Sequence, residues 1–422
     1  MKQRTYFCID MKSFFASVEC AERRLSPFET NLVVADESRG KGAITLAITP
    51  KMKSLGVKNR CRLFEIPANI DYIIAKPRMS LYIKYCGDIF DVYLDYISPD
   101  DIHQYSIDEA FLDVTDYLPL YNMTAHEFAK KLITEISRRT NIPATCGIGT
   151  NLYLAKIALD ITAKKTRDHI GFLDEDTFKA TLWDHKPITD FWNIASGTAA
   201  RLYRYGVTTM RGIASLPDDV LERNFGKNYR ILADHAVGKE SCTIADIKNY
   251  KAQSRSISNS QILFSDYDHQ KAKVVILEMA LAGCQRLMAE KSIAGVVGIS
   301  VGYSKDVLPP SGGSKKMATS TNLYSKIKEY VEKLYDETTD QKTPIRRLTI
   351  WFSCLADESA EGYDLFCDLE QMERERKREE AVLEIKERFG KNAILRGFNL
   401  REGATQAYRN TLIGGHNGGE EK

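Results

Sequence analysis

Apolar and polar positions divide the chain into segments with different periods. Tyr6-Phe7-Cys8-Ile9 is an apolar run of strand type that ends on Asp10, and Met11 to Glu19 continues with helical spacing. Tyr105 to Asp113 also reads as strand-like, yet it carries Asp108 and Glu109 side by side. Side chains alternate across a strand, so Ile107, Phe111 and Val114 cannot all share one environment with both carboxylates; a turn or a bound cation at the acidic pair resolves the conflict. Between these segments the pattern predicts short strands at Asn31 to Ala35 and Gly42 to Ala47, a helix from Pro50 closed by Gly56, and a helix over Lys130 to Arg139. From Gly171 to Tyr250 it turns helical, with short helices at 190–192, 198–205 and 209–216. A polar connector, 249–255, leads to strands at Ser256 to Phe264, Val296 to Tyr303 and Arg347 to Ser353, separated by helices at His269 to Glu290 and Leu323 to Tyr335. That order suggests a β-α-β-β-α-β module of ferredoxin-like type. Beyond residue 355 come a charged helix, Met372 to Phe389, and a Gly-rich polar tail from Gly414 that reads as disordered.

The acidic positions carry the candidate chemistry. Carboxylates at strand ends that converge in space can hold paired divalent cations about 4 Å apart for in-line phosphoryl transfer. Taken singly, Asp108 and Glu109 could instead form a plain hairpin turn and Asp10 a helix N-cap. Composition adds mainly exclusions. The 422 residues, 43% apolar and 27% charged, suit an ordinary globular protein of two to four domains. No run approaches the eighteen or so apolar residues of a membrane span, and residues 1–4 lead into a strand rather than a signal-peptide core, which predicts no membrane partner and a cytoplasmic protein. Nine cysteines without a Cys-x-x-Cys pair predict reduced thiols rather than a zinc site or disulfide framework. The net charge of +2 is low for a nucleic-acid enzyme. Basic residues nevertheless gather at Arg39, Lys41, Lys51, Lys53, Lys58, Arg60 and Arg62, and again at Lys315-Lys316 and Arg346-Arg347, while acids dominate Asp357 to Glu370. A basic face diluted by an acidic segment and scattered solvated lysines both fit that distribution.

Three motifs carry a resemblance: Ile9-Asp10-Met11-Lys12-Ser13-Phe14-Phe15-Ala16-Ser17-Val18-Glu19, Ser106 to Asp113, and Cys146-Gly147-Ile148-Gly149-Thr150-Asn151 followed by Leu154-Ala155-Lys156-Ile157-Ala158. In order and spacing they resemble the signatures of the Y-family lesion-bypass DNA polymerases, in the UmuC-like branch of Gram-positive bacteria. The resemblance implies an α/β multidomain right-hand polymerase: ferredoxin-like palm from residues 1–18 and 78–170, small fingers from 19–77, and a helical thumb from 171–250 with a helix-hairpin-helix-like segment. A β-α-β-β-α-β little finger over 251–355 and a C-terminal extension over 356–422 complete it. It implies two Mg²⁺ ions held by Asp10, Asp108, Glu109 and the Met11 backbone carbonyl, and a low-fidelity, template-directed DNA polymerase performing translesion synthesis. Phe14 and Phe15 fall at nucleotide-contacting positions, Phe15 beneath the sugar and Phe14 better read as core. Lys53 and either Lys164 or Lys165 would meet the triphosphate. Pro50 stands where many relatives have a phosphate-contacting tyrosine, so Thr49 is the expected substitute. Ser196 and Gly197 amides, with Lys315, Lys316, Arg346 and Arg347, would contact DNA. Leu365 and Phe366 resemble a sliding-clamp-binding peptide, with Gly362 in place of its usual glutamine. Expected partners are primer-template DNA, deoxynucleoside triphosphates, the clamp, and UmuD-like or recombinase accessory proteins, with nucleoid association. Two other readings stay open: a catalytically degenerate DNA-binding repair subunit, and another two-metal palm enzyme such as a nucleotide cyclase.

Overall fold

The structure, a computed structural model, describes residues 3–252, 254–362 and 367–419. It divides into two compact units, one reaching Tyr250 and the other running from Lys251 to Gly418.

The first unit opens with β1 (Tyr6–Met11), whose apolar run is buried, and α1 (Phe14–Glu22), entered through Ser13 in the left-handed region. Next come β2 (Leu32–Val34), β3 (Ala47–Ile48), α2 (Pro50–Ser54) and β4 (Ile73–Ala75), a small three-stranded sheet in the order β3-β2-β4 with its own apolar core around Val33, Ile48, Met52 and Leu63. The strand expected over Gly42 to Ala47 is thus reduced to its end. Ile44 makes only an isolated bridge with Arg62, and Thr45 bonds the Cys61 carbonyl through both its amide and its hydroxyl, which draws this stretch into a loop.

Then follow α3 (Met79–Leu94), β5 (Ile102–Gln104), β6 (Glu109–Asp113), α4 (Tyr117–Tyr121), α5 (Ala125–Thr140), β7 (Ala144–Gly149), α6 (Leu152–Ile157) and β8 (Ile170–Leu173). Helix α5 begins earlier than expected because Thr124 and Glu127 form a capping box. The main sheet has the order β5-β6-β1-β7-β8, and β8 lies across the boundary expected at residue 170. Gly147 and Gly149 let α6 lie flush on β7: a Cβ at either would come 2.1 Å from the Ala155 backbone. After α6 the chain makes a π turn, Ala158–Thr162, before a 3₁₀ turn at Ala163–Lys165.

Helices α7 (Glu175–Thr181), α8 (Ser196–Tyr203), α9 (Met210–Ala214), α10 (Asp218–Phe225) and α11 (Tyr229–Ala236) pack their apolar faces with Tyr153, Leu154 and Ile157 of α6. Only a 3₁₀ turn, Ile188–Asp190, stands where a helix was expected at 190–192, and Phe191 is extended. Helix α12 (Ile244–Asn249) returns to the main sheet, where Ile244 packs with Tyr6, Cys8 and Phe111.

The second unit contains β9 (Ile257–Tyr267), α13 (His269–Ala289), β10 (Ser292–Tyr303), β11 (Ser311–Thr321), α14 (Tyr324–Thr338) and β12 (Ile345–Asp357). The sheet order is β11-β10-β12-β9, all neighbours antiparallel, with α13 and α14 covering one face. Strand β11 completes the β-α-β-β-α-β order; it is an edge strand whose one fully buried apolar side chain is Met317, so no hydrophobic alternation announces it. Helices α15 (Leu369–Phe389) and α16 (Gln406–Arg409) follow, then β13 (Leu412–Ile413) and β14 (His416–Asn417). These last two strands form a hairpin where a disordered tail was expected, because Gly414 and Gly415 take positive φ and close a two-residue turn. Among the described residues no helix is long and apolar enough to cross a membrane.

Candidate active site

Asp10 and Glu109 are register partners on adjacent antiparallel strands, β1 and β6. Asp108 precedes β6 in the turn from β5, which frees its side chain from strand alternation and resolves the conflict in the sequence. The turn is tied down by backbone bonds: Met11 N donates to Asp108 O at 2.9 Å, and Tyr105 N and Ser106 N both donate to Glu109 O at 3.0 Å. Ser106 Oγ also donates to Asp108 Oδ1 at 2.7 Å. Burial, with Asp108 and Glu109 adding their negative charge, pushes the Asp10 carboxyl up to about 7. Met11, the last residue of β1, is buried.

Glu109 is engaged differently. Cys8 Sγ donates to its Oε1 at 3.2 Å, and Lys156 Nζ, projecting from α6, donates to its Oε2 at 2.8 Å. The same ammonium reaches Asp160 Oδ1 at 3.2 Å. Burial alone would lower the Lys156 pKa, but Cys8, Glu109 and Asp160 together raise it above its ordinary value. With Glu109 turned to these partners, no three Asp, Glu, His or Cys side chains stand ready as a metal cage among the described residues. The donor set nevertheless fits Mg²⁺: the oxygens are hard, and burial, with Asp108 and Glu109 adding to it, disfavours a bare Asp10 carboxylate, which a cation would relieve.

Phe15 is half-buried and stacks on Tyr82, with ring centroids 4.5 Å apart and planes at 19°. Tyr82 in turn donates to Glu19 Oε1 at 2.8 Å. Phe14 is buried in the core. Thr49 has its hydroxyl engaged within the protein. It is fully buried as the N-cap of α2, its hydroxyl donating to Thr30 O at 2.7 Å and accepting from Met52 N. Lys53 is exposed near Asp10 and Lys164, and partial desolvation lowers its pKa, with Lys164 adding to the effect and Asp10 opposing it. Lys164 and Lys165 are both exposed, but only Lys164 acts on Lys53. Lys12, two residues after Asp10, is depressed by burial and by Lys53. Lys156 lies in the third motif and Asp160 two residues beyond it, neither with an expected role, and the i,i+4 spacing of opposite charges was the signal available for them.

The DNA-contact candidates divide into two groups. Ser196 and Gly197 open α8, whose N-cap, Ala195, supplies no side-chain cap, so the first amides there have no capping partner. In the second unit the basic pairs split. Lys315 binds Glu337 at 2.6 Å and Arg346 lies 3.8 Å from Asp266, whereas Lys316 and Arg347 are exposed and form no ion pair among the described residues. Leu365 and Phe366 lie outside the described residues.

Comparison with known proteins agrees with this geometry. Residues 9–160, which contain Asp10, Asp108, Glu109, Lys156 and Asp160, match the impB/mucB/samB family, and residues 254–365 match the C-terminal domain of that family. A Bacillus subtilis (strain 168) protein named DNA polymerase IV 2 is 32% identical over 99% of both chains. A second B. subtilis protein, named for UV-damage repair as UvrX, is 30% identical over 98% of both. Among solved structures, a Dbh–Dpo4 chimera of Y-family DNA polymerases superposes with a TM-score of 0.64 at 21% identity, covering 84% of this chain and 99% of the other, a likeness of fold. The paired family matches and the full-length relatives establish that the chain belongs to the impB/mucB/samB family, the Y-family of lesion-bypass DNA polymerases.

Proposed function

We propose that this chain is a template-directed DNA polymerase of low fidelity that extends primers across damaged templates by two-cation nucleotidyl transfer. The observation that carries the reading is the placement of Asp10, Asp108 and Glu109 together where β1 ends and β6 begins, Asp10 and Glu109 as register partners and Asp108 bonded through its carbonyl to Met11 N. Asp10, Asp108, Glu109 and the Met11 carbonyl would hold two Mg²⁺ ions, which when bound supply charge neutralisation at the triphosphate and activation of the primer 3′-hydroxyl. Phe15, braced by Tyr82, meets the sugar of the incoming nucleotide and excludes a 2′-hydroxyl. Lys53 and Lys164 converge on the triphosphate, a placing supported by their proximity to each other and of Lys53 to Asp10.

The main sheet acts as the palm, the small sheet of β2, β3 and β4 as the fingers, α7 to α11 as the thumb and the second unit as the little finger. The uncapped start of α8 supports phosphate binding by the Ser196 and Gly197 amides, and unpaired Lys316 and Arg347 support backbone contacts. Small fingers leave the nascent base pair open, which tolerates distorted templates at the expense of geometric selection. The protein works in the cytoplasm on chromosomal DNA, and Leu365 with Phe366 tethers it to the sliding clamp.

One experiment tests the reading: primer extension with Mg²⁺ on undamaged, abasic and ultraviolet-damaged templates, with and without clamp. Asp108→Asn is expected to abolish nucleotide addition while leaving primer-template affinity within about threefold, since grip on DNA is mostly phosphate contact elsewhere. Wild-type activity in a folded Asp108→Asn protein would remove the ligand assignment. Indifference to the clamp would remove the tether.

A further inference from the structure

Glu109 has both carboxylate oxygens engaged by protein donors. Oε1 accepts from the Cys8 thiol at 3.2 Å and Oε2 from the Lys156 ammonium at 2.8 Å, and both Glu109 and Lys156 are only 8% exposed. Lys156 is the shared member of a chain of groups, because it also lies 3.2 Å from Asp160, one turn further along and more open to solvent. Asp160 sits within the π turn Ala158–Thr162, and that turn leaves its carboxylate facing back towards Lys156. An ammonium between two carboxylates can rest on either one, whereas a buried ammonium with no partner is strongly disfavoured.

We propose that Lys156 is a stand-in cation for Glu109, held there until a divalent cation is bound, and that Asp160 is the positioning residue that receives Lys156 when Glu109 turns away from it. This rests on the reading of Asp10, Asp108 and Glu109 as cation ligands. On that basis each member of the chain has a part. Lys156 keeps Glu109 from being an uncompensated buried charge when no cation is bound. Cys8 offers Glu109 a weak, neutral donor that it can give up readily. Asp160 keeps Lys156 from being stranded once Glu109 has moved. Without Asp160, cation binding would have to leave a buried ammonium alone, and the site would resist being filled.

The test is a titration of the full-length protein with Mn²⁺ in place of Mg²⁺, read by electron paramagnetic resonance in the absence of DNA and nucleotide. Asp160→Asn should weaken the site about fivefold or more, and in a Lys156→Met background the same change should alter affinity by less than about twofold, the pattern of two coupled residues. Asp160→Glu should bind as the wild type does. A loss that persists in the Lys156→Met background would mean that Asp160 acts only through its charge, which overturns the proposal. Crystal structures of the wild type with and without Mn²⁺ decide the matter if Lys156→Met fails to fold. Lys156 on Asp160 and out of hydrogen-bond reach of Glu109 in the loaded form is the expected result, and Lys156 still on Glu109 overturns it. If Mn²⁺ binding ignores Asp108→Asn, the ligand reading itself fails and takes this inference with it; if it responds to Asp108→Asn but not to Asp160→Asn, the stand-in alone fails.

Discussion

At the scale of single residues, Phe15 and Asp10 make opposite uses of burial. Phe15 keeps one face against Tyr82 and only half of its surface covered, so truncating it opens space without emptying the core. Phe15→Ala is expected to raise ribonucleotide incorporation relative to deoxynucleotide incorporation by about tenfold or more, because only a 2′-hydroxyl meets the lost ring. Unchanged sugar discrimination in competition assays would return Phe15 to a packing role. For Asp10, a folded-state pKa of about 7 against an ordinary 3.8 means that the native protein binds the proton more tightly than the unfolded chain does. Stability of the metal-free protein therefore falls as pH rises from about 4 to 7, and the full penalty, at most about 4 kcal/mol, stands at pH 8. Asp10→Asn should raise the Tm of the metal-free protein more at pH 8 than at pH 5, by about 4 °C. An equal gain at both values would show that the carboxyl is not held in excess negative charge.

At the scale of elements, α1 and α3 are joined by a buried charge. Glu19 of α1 accepts from Arg78 Nη2 at 2.7 Å, from Arg78 Nε at 3.0 Å and from Tyr82 of α3 at 2.8 Å, and Arg23 adds a further contact. Burial alone would raise the Glu19 carboxyl; the hydrogen bonds from Arg78, Arg23 and Tyr82 outweigh it and hold the group below the usual carboxylate range. Glu19→Ala should destabilise the first unit by about 3 kcal/mol or more, since Arg78 and the Tyr82 hydroxyl lose their acceptor; denaturant melts read this, and a change under 1 kcal/mol would rule the network out as a support. Elements with a full apolar face, such as β1, α5, α13 and α14, were legible in the sequence because burial writes a period into them. Strand β11 was not, since an edge strand with Gly312, Gly313 and two lysines has little to bury. The engagement of Glu109 by Lys156 was hidden for another reason: it depends on Gly147 and Gly149 admitting α6 to contact with β7, and a spacing of 47 residues between partners leaves no periodic trace. The capping role of Thr49 was not legible either, since its partners, the Thr30 carbonyl and the Met52 amide, are set by the fold.

At the scale of the whole molecule, the segment after α15, residues 390–418, is built into the second unit. Glu278 of α13 is 1% exposed, and its carboxylate accepts from Asn399 Nδ2 at 2.8 Å, Thr405 N at 2.7 Å and Gln406 N at 3.2 Å. Beside it, Gln261 Nε2 donates to Thr405 Oγ1 at 2.9 Å, and Arg409 donates to Gln261 Oε1 at 2.6 Å and to Asn259 Oδ1 at 2.8 Å. Glu278→Ala would leave those buried amides without an acceptor, at about 3 kcal/mol. It should expose residues 396–411 to limited proteolysis well below the melting temperature, and protection equal to wild type would mean that the segment is held by other contacts. The pairing also has a consequence for synthesis. Glu278 leaves the ribosome 127 residues before the Thr405 amide that satisfies it. At roughly 5–20 residues per second, the nascent chain spends about 6–25 s with the carboxylate of its central helix unanswered. In the last part of that interval, once β12 has been made, α13 has its apolar partners but not its polar ones, so a chaperone has a defined window in which to engage it, and a message broken before codon 399 yields a protein whose second unit can collapse but not close.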